Sequence, residues 1–272
     1  MKDGITTAAR SADDVFPRDT TRGPVPGTPE YMEFIDDQIT IINAEYVRSV
    51  SKLSPVAGEI FEELGKGAVG IIDAVAPGKP LRVLDICCGA GLAVETLMNL
   101  DVTIASLTLT EQDPRLLDKA KGYLAGKGLL GKIGSVRTAV FDPNTHRLSD
   151  RVEGKFDLVV TCNAFQHFSC DHQATLVGEI YDQLGPQGIF VMQTHLKVLE
   201  PDWRNSIIEH MKAQMSASNA DDSFVRRAIS HTTRFHNFVP TSDVFGWCEK
   251  AGFAIVECLF RRHIIGIIGA VK

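Results

Sequence analysis

The segment Leu81-Arg82-Val83-Leu84-Asp85-Ile86-Cys87-Cys88-Gly89-Ala90-Gly91 constrains this chain more than any other. An apolar strand ends on an acidic residue and turns on small ones. It then enters a helical pattern through Leu92, Ala93, Val94, Leu97 and Met98. Glycine has no Cβ, so such a turn lets backbone N–H groups at a helix start approach a ligand closely. The carboxylate of Asp85 narrows the choice of ligand. It repels a pyrophosphate and attracts an ammonium or sulfonium cation. A dinucleotide fingerprint also needs a third small residue where Val94 stands. A nicotinamide-dependent oxidoreductase is therefore disfavoured.

After this turn, strand and helix patterns alternate. Strands are expected at Val102–Leu109, Ser135–Phe141, Phe156–Cys162 and Ile189–Gln193, with helices from Pro114 and over His172–Leu184. Ala251-Gly252-Phe253 opens a hairpin of Ala254–Phe260 with His263–Val271. This order implies an α/β, doubly wound, mostly parallel sheet. Pro/Gly punctuation marks residues 1–28 as a flexible arm. Phe34, Ile35, Ile39, Ile42 and Tyr46, then Val56, Ile60, Leu64 and Val69, mark an N-terminal helical cap over 29–76. The catalytic domain is expected over 77–272, with a helical insertion at about 197–238 forming a lid. Its helical patterns centre on Trp203–Met215 and Ser223–Ile229.

Asp85-Ile86, Cys88, Gly89, Ala90 and Gly91 resemble the first motif of the class I methyltransferases that use S-adenosylmethionine. Cys87 departs from it, standing where that family usually has its first glycine. Phe156-Asp157-Leu158-Val159-Val160, Leu184-Gly185-Pro186-Gln187-Gly188 and Ala251-Gly252-Phe253 resemble later landmarks, so the likeness spans residues 80–271. It implies a Rossmann-like, seven-stranded sheet and S-adenosylmethionine as cofactor. By resemblance the methionyl part lies against Cys87, Gly89 and Gly91, with Asp85 near its amino group. Glu111 stands where the family keeps its ribose acid, and a carboxylate can accept from both hydroxyls. Gln112 then lies beside the adenine. Asp113 is the fallback acid, better suited to capping the helix at Pro114. Phe141-Asp142 resembles the adenine clamp, although Asp142 also suits an Asp142-Pro143-Asn144 turn. Asn163 is expected near the methionyl end.

A sulfonium is already an activated electrophile, so the protein must align the acceptor and, for a hydroxyl, remove a proton. His167 and His195, after the fourth and fifth strands, are the candidate bases. His231 and His236 lie in the insertion; lid closure could bring them in, and a surface position is the expected one. Catechol-type methyltransferases place acidic metal ligands after the fourth strand. This chain has Thr161, Cys162 and Asn163 there, so no metal is expected. Tyr31, Phe34, Trp203, Met211, Met215, Phe235 and Phe238 either roof an apolar acceptor pocket or, as expected for any one of them, form the cores of small cap helices. Arg226, Arg227 and Arg234 either meet an acidic acceptor or form a solvated helix face.

A net charge of −6 argues against nucleic-acid and anionic-membrane surfaces. No apolar run is long enough to span a bilayer. Six cysteines, two of them adjacent, do not suggest a disulfide framework. The expectation is a cytoplasmic enzyme that methylates O or N, less readily C, of a small-molecule metabolite of secondary metabolism. A homo-oligomer stays open. The rival is a non-methylating protein on the same fold, using the cofactor structurally or catalysing a cyclisation or rearrangement.

Overall fold

Alternation of side chains along each strand organises the whole molecule, because successive residues of a strand face opposite sides of a sheet. In the computed structural model, which describes residues 27–41, 55–217 and 222–272, the strands are β1 (Leu81–Asp85), β2 (Ile104–Glu111), β3 (Ser135–Val140), β4 (Phe156–Cys162), β5 (Leu184–His195), β6 (Ile255–Arg262) and β7 (Ile265–Val271). The expected arm, Ile42 and Tyr46 lie outside the described residues. Leu81, Val83, Leu158, Val160, Ile189 and Val191 pack into one core. Their neighbours Leu84, Val159, Phe190 and Met192 pack into a second. Each fully buried side chain of this kind contributes about 1.5–3 kcal/mol.

The sheet has seven strands in the order β3-β2-β1-β4-β5-β7-β6. β1 to β5 are parallel, and β7 runs antiparallel to both β5 and β6. The order reverses between β1 and β4, which opens a crevice beyond their carboxyl ends. One face carries helices α2 (Pro55–Val75), α3 (Leu92–Asn99) and α4 (Pro114–Gly126). The other carries α5 (Cys170–Gln183) and α8 (Thr241–Ala251), whose Val177, Ile180, Val244 and Cys248 complete the second core.

Local chemistry fixes the helix starts. Asp113 accepts from the Arg115 N–H at 2.8 Å, with Pro114 as the first helical residue of α4. Ser169 caps α5 through the His172 N–H. By contrast α3 begins on Gly91 in left-handed conformation, with no side-chain cap, so its first N–H groups remain available to a ligand.

Two further helices, α6 (Pro201–Ala217) and α7 (Asp222–Phe235), stand between β5 and α8 in the chain, and α7 packs on α1 (Pro29–Ile41). Arg234 donates from both terminal guanidinium nitrogens to the Glu33 carboxylate, and Arg227 approaches Asp37. Beneath them Phe34 stacks on His231 and meets Phe235 edge-on. The segment after α7 is anchored to the sheet: the Asn237 N–H donates to the Gln166 carbonyl, and Leu196 bridges Val239.

Candidate active site

A cavity of about 220 Å³ runs from the Cys87–Ala93 turn to α1 and α7. Hydrogen bonds to the neighbouring strands fix this turn. The Ile86 N–H donates to the Val160 carbonyl and the Cys88 N–H to the Thr110 carbonyl. The Cys87 N–H donates to the Thr110 hydroxyl at 3.2 Å. Cys87, with φ +54°, occupies left-handed space that its side chain disfavours, at the position where a glycine resembles the family better. Gly91, at φ +81°, has further reason to be glycine, since a Cβ there would come within 3.0 Å of Leu124.

Asp85 lines the cavity, is almost wholly buried, and has no hydrogen-bond partner at either carboxylate oxygen among the described residues. Burial, then the nearby Glu111, raises its pKa well above the ordinary value. An unpaired buried carboxyl is costly in the free protein. A cationic ligand turns that cost into binding.

Glu111 closes the next side. Its Oε1 accepts from the Gly89 N–H at 2.7 Å and its Oε2 from the Gln112 N–H at 3.0 Å. Burial raises it to about 7, against these two bonds. Each oxygen keeps a lone pair for a further donor. Gln112 also lines the cavity, whereas Asp113 caps α4. Asn163, with φ +59°, faces the cavity from the end of β4, and its Oδ1 accepts from Gln166 Nε2 at 3.0 Å.

Asp85, Cys87, Gly89, Glu111, Gln112, Asn163, His167 and His195 thus meet at one cavity. Phe141, Asp142 and Gly91 do not line it. Phe141 is fully buried in the second core. Asp142 holds its turn, with Oδ1 accepting from the Asn144 N–H at 2.9 Å.

At the far end four histidines gather. The Nε2 atoms of His167 and His236 are 3.1 Å apart and those of His167 and His231 are 3.3 Å apart. His195 Nδ1 is 3.0 Å from His236 Nδ1. Burial keeps all four neutral at pH 7, His195 and His231 being lowered to about 4 and His167 and His236 well below the ordinary value. The expected surface positions of His231 and His236 are wrong. α7 folds back over the cavity mouth and buries both. Gln38 was not foreseen; its side chain reaches His231 and His167 at 2.9 and 3.2 Å. Phe34 and Phe235 join this end, and Phe238 stacks on His195, while Trp203 is 70% exposed. The side chains of Met211 and Met215 lie outside those described. Arg227 and Arg234 face acidic residues of α1, so for them the helix-face reading holds.

A sheet of this order, with an unpaired carboxyl at the end of β1 and a second acid at the end of β2, defines the class I S-adenosylmethionine-dependent methyltransferase fold. Residues 58–258 match the family described as Methyltransferase domain, and the chain belongs to it. A ubiquinone biosynthesis O-methyltransferase from Haemophilus ducreyi is 23% identical over 180 residues, 65% of this chain and 65% of that enzyme. A carboxy-S-adenosyl-L-methionine synthase from Trichodesmium erythraeum is 22% identical over 221 residues, 81% of this chain and 84% of that protein. Among solved structures, magnesium protoporphyrin IX methyltransferase from Synechocystis PCC 6803 with bound SAH superposes at a TM-score of 0.53. It is 13% identical and the match covers 86% of this chain and 97% of that one. Membership of this family implies S-adenosylmethionine as the cofactor. Among the described residues no helix is long and apolar enough to cross a membrane.

Proposed function

We propose that the chain transfers a methyl group from S-adenosylmethionine to an oxygen or nitrogen of a small-molecule metabolite of secondary metabolism. The observation that carries this reading is Asp85, a buried carboxyl with both oxygens unpartnered in a cavity beside an uncapped helix start. The amino-acid tail of the donor is zwitterionic. Its ammonium suits Asp85, and its carboxylate suits the free N–H groups of α3. Glu111 would accept from the ribose hydroxyls, with Gln112 beside the base and Cys87, Gly89 and Asn163 against the methionyl chain. When bound, the donor supplies an activated methyl.

The chain's own residues then align the acceptor, exclude water and handle a proton. The apolar walls of Phe34, Ile35, Phe61 and Phe168 suit a small organic acceptor more than a polymer. Neutral His167 offers a lone pair in the same chamber, and His195, close to His236, extends the set. We assign acceptor activation to His167 and His195 on that ground.

Calorimetry with adenosylhomocysteine, followed by detection of that product during turnover with a panel of phenols, enols and amines, tests the proposal. Donor binding without turnover on any acceptor would favour the second reading, a non-methylating reaction. Similarity to a carboxy-S-adenosyl-L-methionine synthase keeps that reading in view.

A further inference from the structure

The nitrogen count at the histidine cluster does not balance. His167 Nε2 has three nitrogen neighbours: His236 Nε2 at 3.1 Å, Gln38 Nε2 at 3.2 Å and His231 Nε2 at 3.3 Å. An imidazole nitrogen carries either one proton or one lone pair, so it satisfies one such neighbour well. Three converging on it leave the cluster under-satisfied inside an apolar shell of Phe34 and Phe235. A cation placed among them removes the conflict. For metal–nitrogen bonds of about 2.0–2.1 Å, adjacent ligand atoms lie roughly 3.0 Å apart in octahedral and 3.3–3.4 Å apart in tetrahedral geometry. The His167–His236 and His167–His231 Nε2 separations of 3.1 and 3.3 Å fall across that range, and ligand atoms of His167, His231 and His236 all lie within 4.8 Å of one another.

The outer partners agree. Metal-bound imidazoles turn their other nitrogen to a carboxylate, carbonyl or comparable group. Asp37 Oδ2 stands 3.6 Å from His231 Nδ1, and His195 Nδ1 stands 3.0 Å from His236 Nδ1. His231 and His236 thus each have a polar neighbour on the side away from the cluster, at hydrogen-bond distance for His236 alone. Rotation of the Gln38 carboxamide would bring its Oε1 to the same centre.

We propose that His167, His231 and His236 bind a divalent transition metal that holds the hydroxyl or enol oxygen of the acceptor. All-nitrogen donors favour zinc, iron(II) or cobalt(II) over magnesium or calcium. The absence of acids after β4 removes the catechol-type site, but this set draws on the β4–α5 connection and the α7 region instead. The acceptor role rests on the methyl-transfer reading above; the metal site itself does not. Coordination raises the acidity of the bound O–H, whose proton leaves to solvent. An oxygen lone pair then forms the O–CH₃ bond. The C–S bond breaks with its electron pair kept on sulfur, and the neutral thioether departs.

The test uses the full chain without a histidine tag, stripped with chelator and titrated with cobalt(II) and zinc. About one equivalent should bind, and the cobalt(II) spectrum should report nitrogen ligation in the unsubstituted protein, independently of any variant. His236→Ala should weaken uptake by more than about 100-fold, and Asp37→Asn by about 10- to 100-fold. Uptake below about a tenth of an equivalent overturns the site, as does undiminished uptake by a His167→Ala, His236→Ala double variant. Adenosylhomocysteine binding is measured on the same samples. Donor-site binding without metal overturns only this inference, while metal without donor-site binding supports it and defeats the methyl-transfer reading.

Discussion

Asp85→Asn keeps the size of the side chain and deletes its capacity for charge. In the free protein the carboxyl is buried without a partner, and burial raises its pKa well above the ordinary value. An acid whose folded value is raised binds more protons folded than unfolded. It therefore removes stability as pH climbs from about 3.9 through the folded value. Asparagine escapes that loss, so the variant should melt at or above the unsubstituted protein at pH 7. Binding should change in the opposite sense. A hydrogen bond to a charged partner contributes about 1.5–3 kcal/mol, so adenosylhomocysteine should bind roughly 10- to 100-fold more weakly, at 1.4 kcal/mol per decade. Ionisation of Asp85 by the ligand's ammonium should also release a proton. Calorimetry in two buffers of different ionisation heat reads that proton, and the variant should lose the Asp85 share of it. An unchanged Kd with unchanged proton release would refute the placement of the cationic tail.

Glu111, raised to about 7 by burial, must ionise to accept from two hydroxyls, so donor affinity should fall as pH drops below 7, and Glu111→Gln should flatten that dependence in a titration series. Phe141→Ala should cost about 3–5 kcal/mol of stability in denaturant melts; a Kd change larger than the accompanying loss of folded protein explains would instead put Phe141 at the ligand. Asp157 accepts from Lys79, from the Arg82 side chain and from the Arg82 N–H, which holds it well below the ordinary carboxylate range. Its stabilisation is present above the unfolded value and lost as pH falls. Because Lys79 and Arg82 are half exposed, Asp157→Asn should cost only about 1–2 kcal/mol, read as a lower denaturation midpoint with unchanged donor affinity.

The local part of the fold was legible in the sequence. β4 occupies the expected Phe156–Cys162, because its apolar centre Leu158-Val159-Val160 is buried on both faces. β2 lies two residues later than expected, at Ile104–Glu111, since the Val102 N–H closes the turn after α3 by donating to Leu97. β5 begins at Leu184, five residues early; Gly185-Pro186-Gln187-Gly188 reads as a break but is absorbed by a register shift against β4. The position of Asp85 and Glu111 at the cavity was readable because each sits at a strand end next to the glycine turn. The histidine chamber was not. Gln38 and His167 are 129 positions apart and His167 and His236 are 69 apart, so no spacing pattern joins them. Only the return of α7 over the crevice does so.

Three thiols, Cys87, Cys88 and Cys162, share the cavity with Asp85 and Glu111. Burial first, and then those acids, push all three pKa values upward. With the methyl donor placed as proposed, soft nucleophiles beside a potent alkylating agent would thereby be held in their unreactive protonated form. On that reading the acids that attract the donor would also keep the protein from becoming its own substrate.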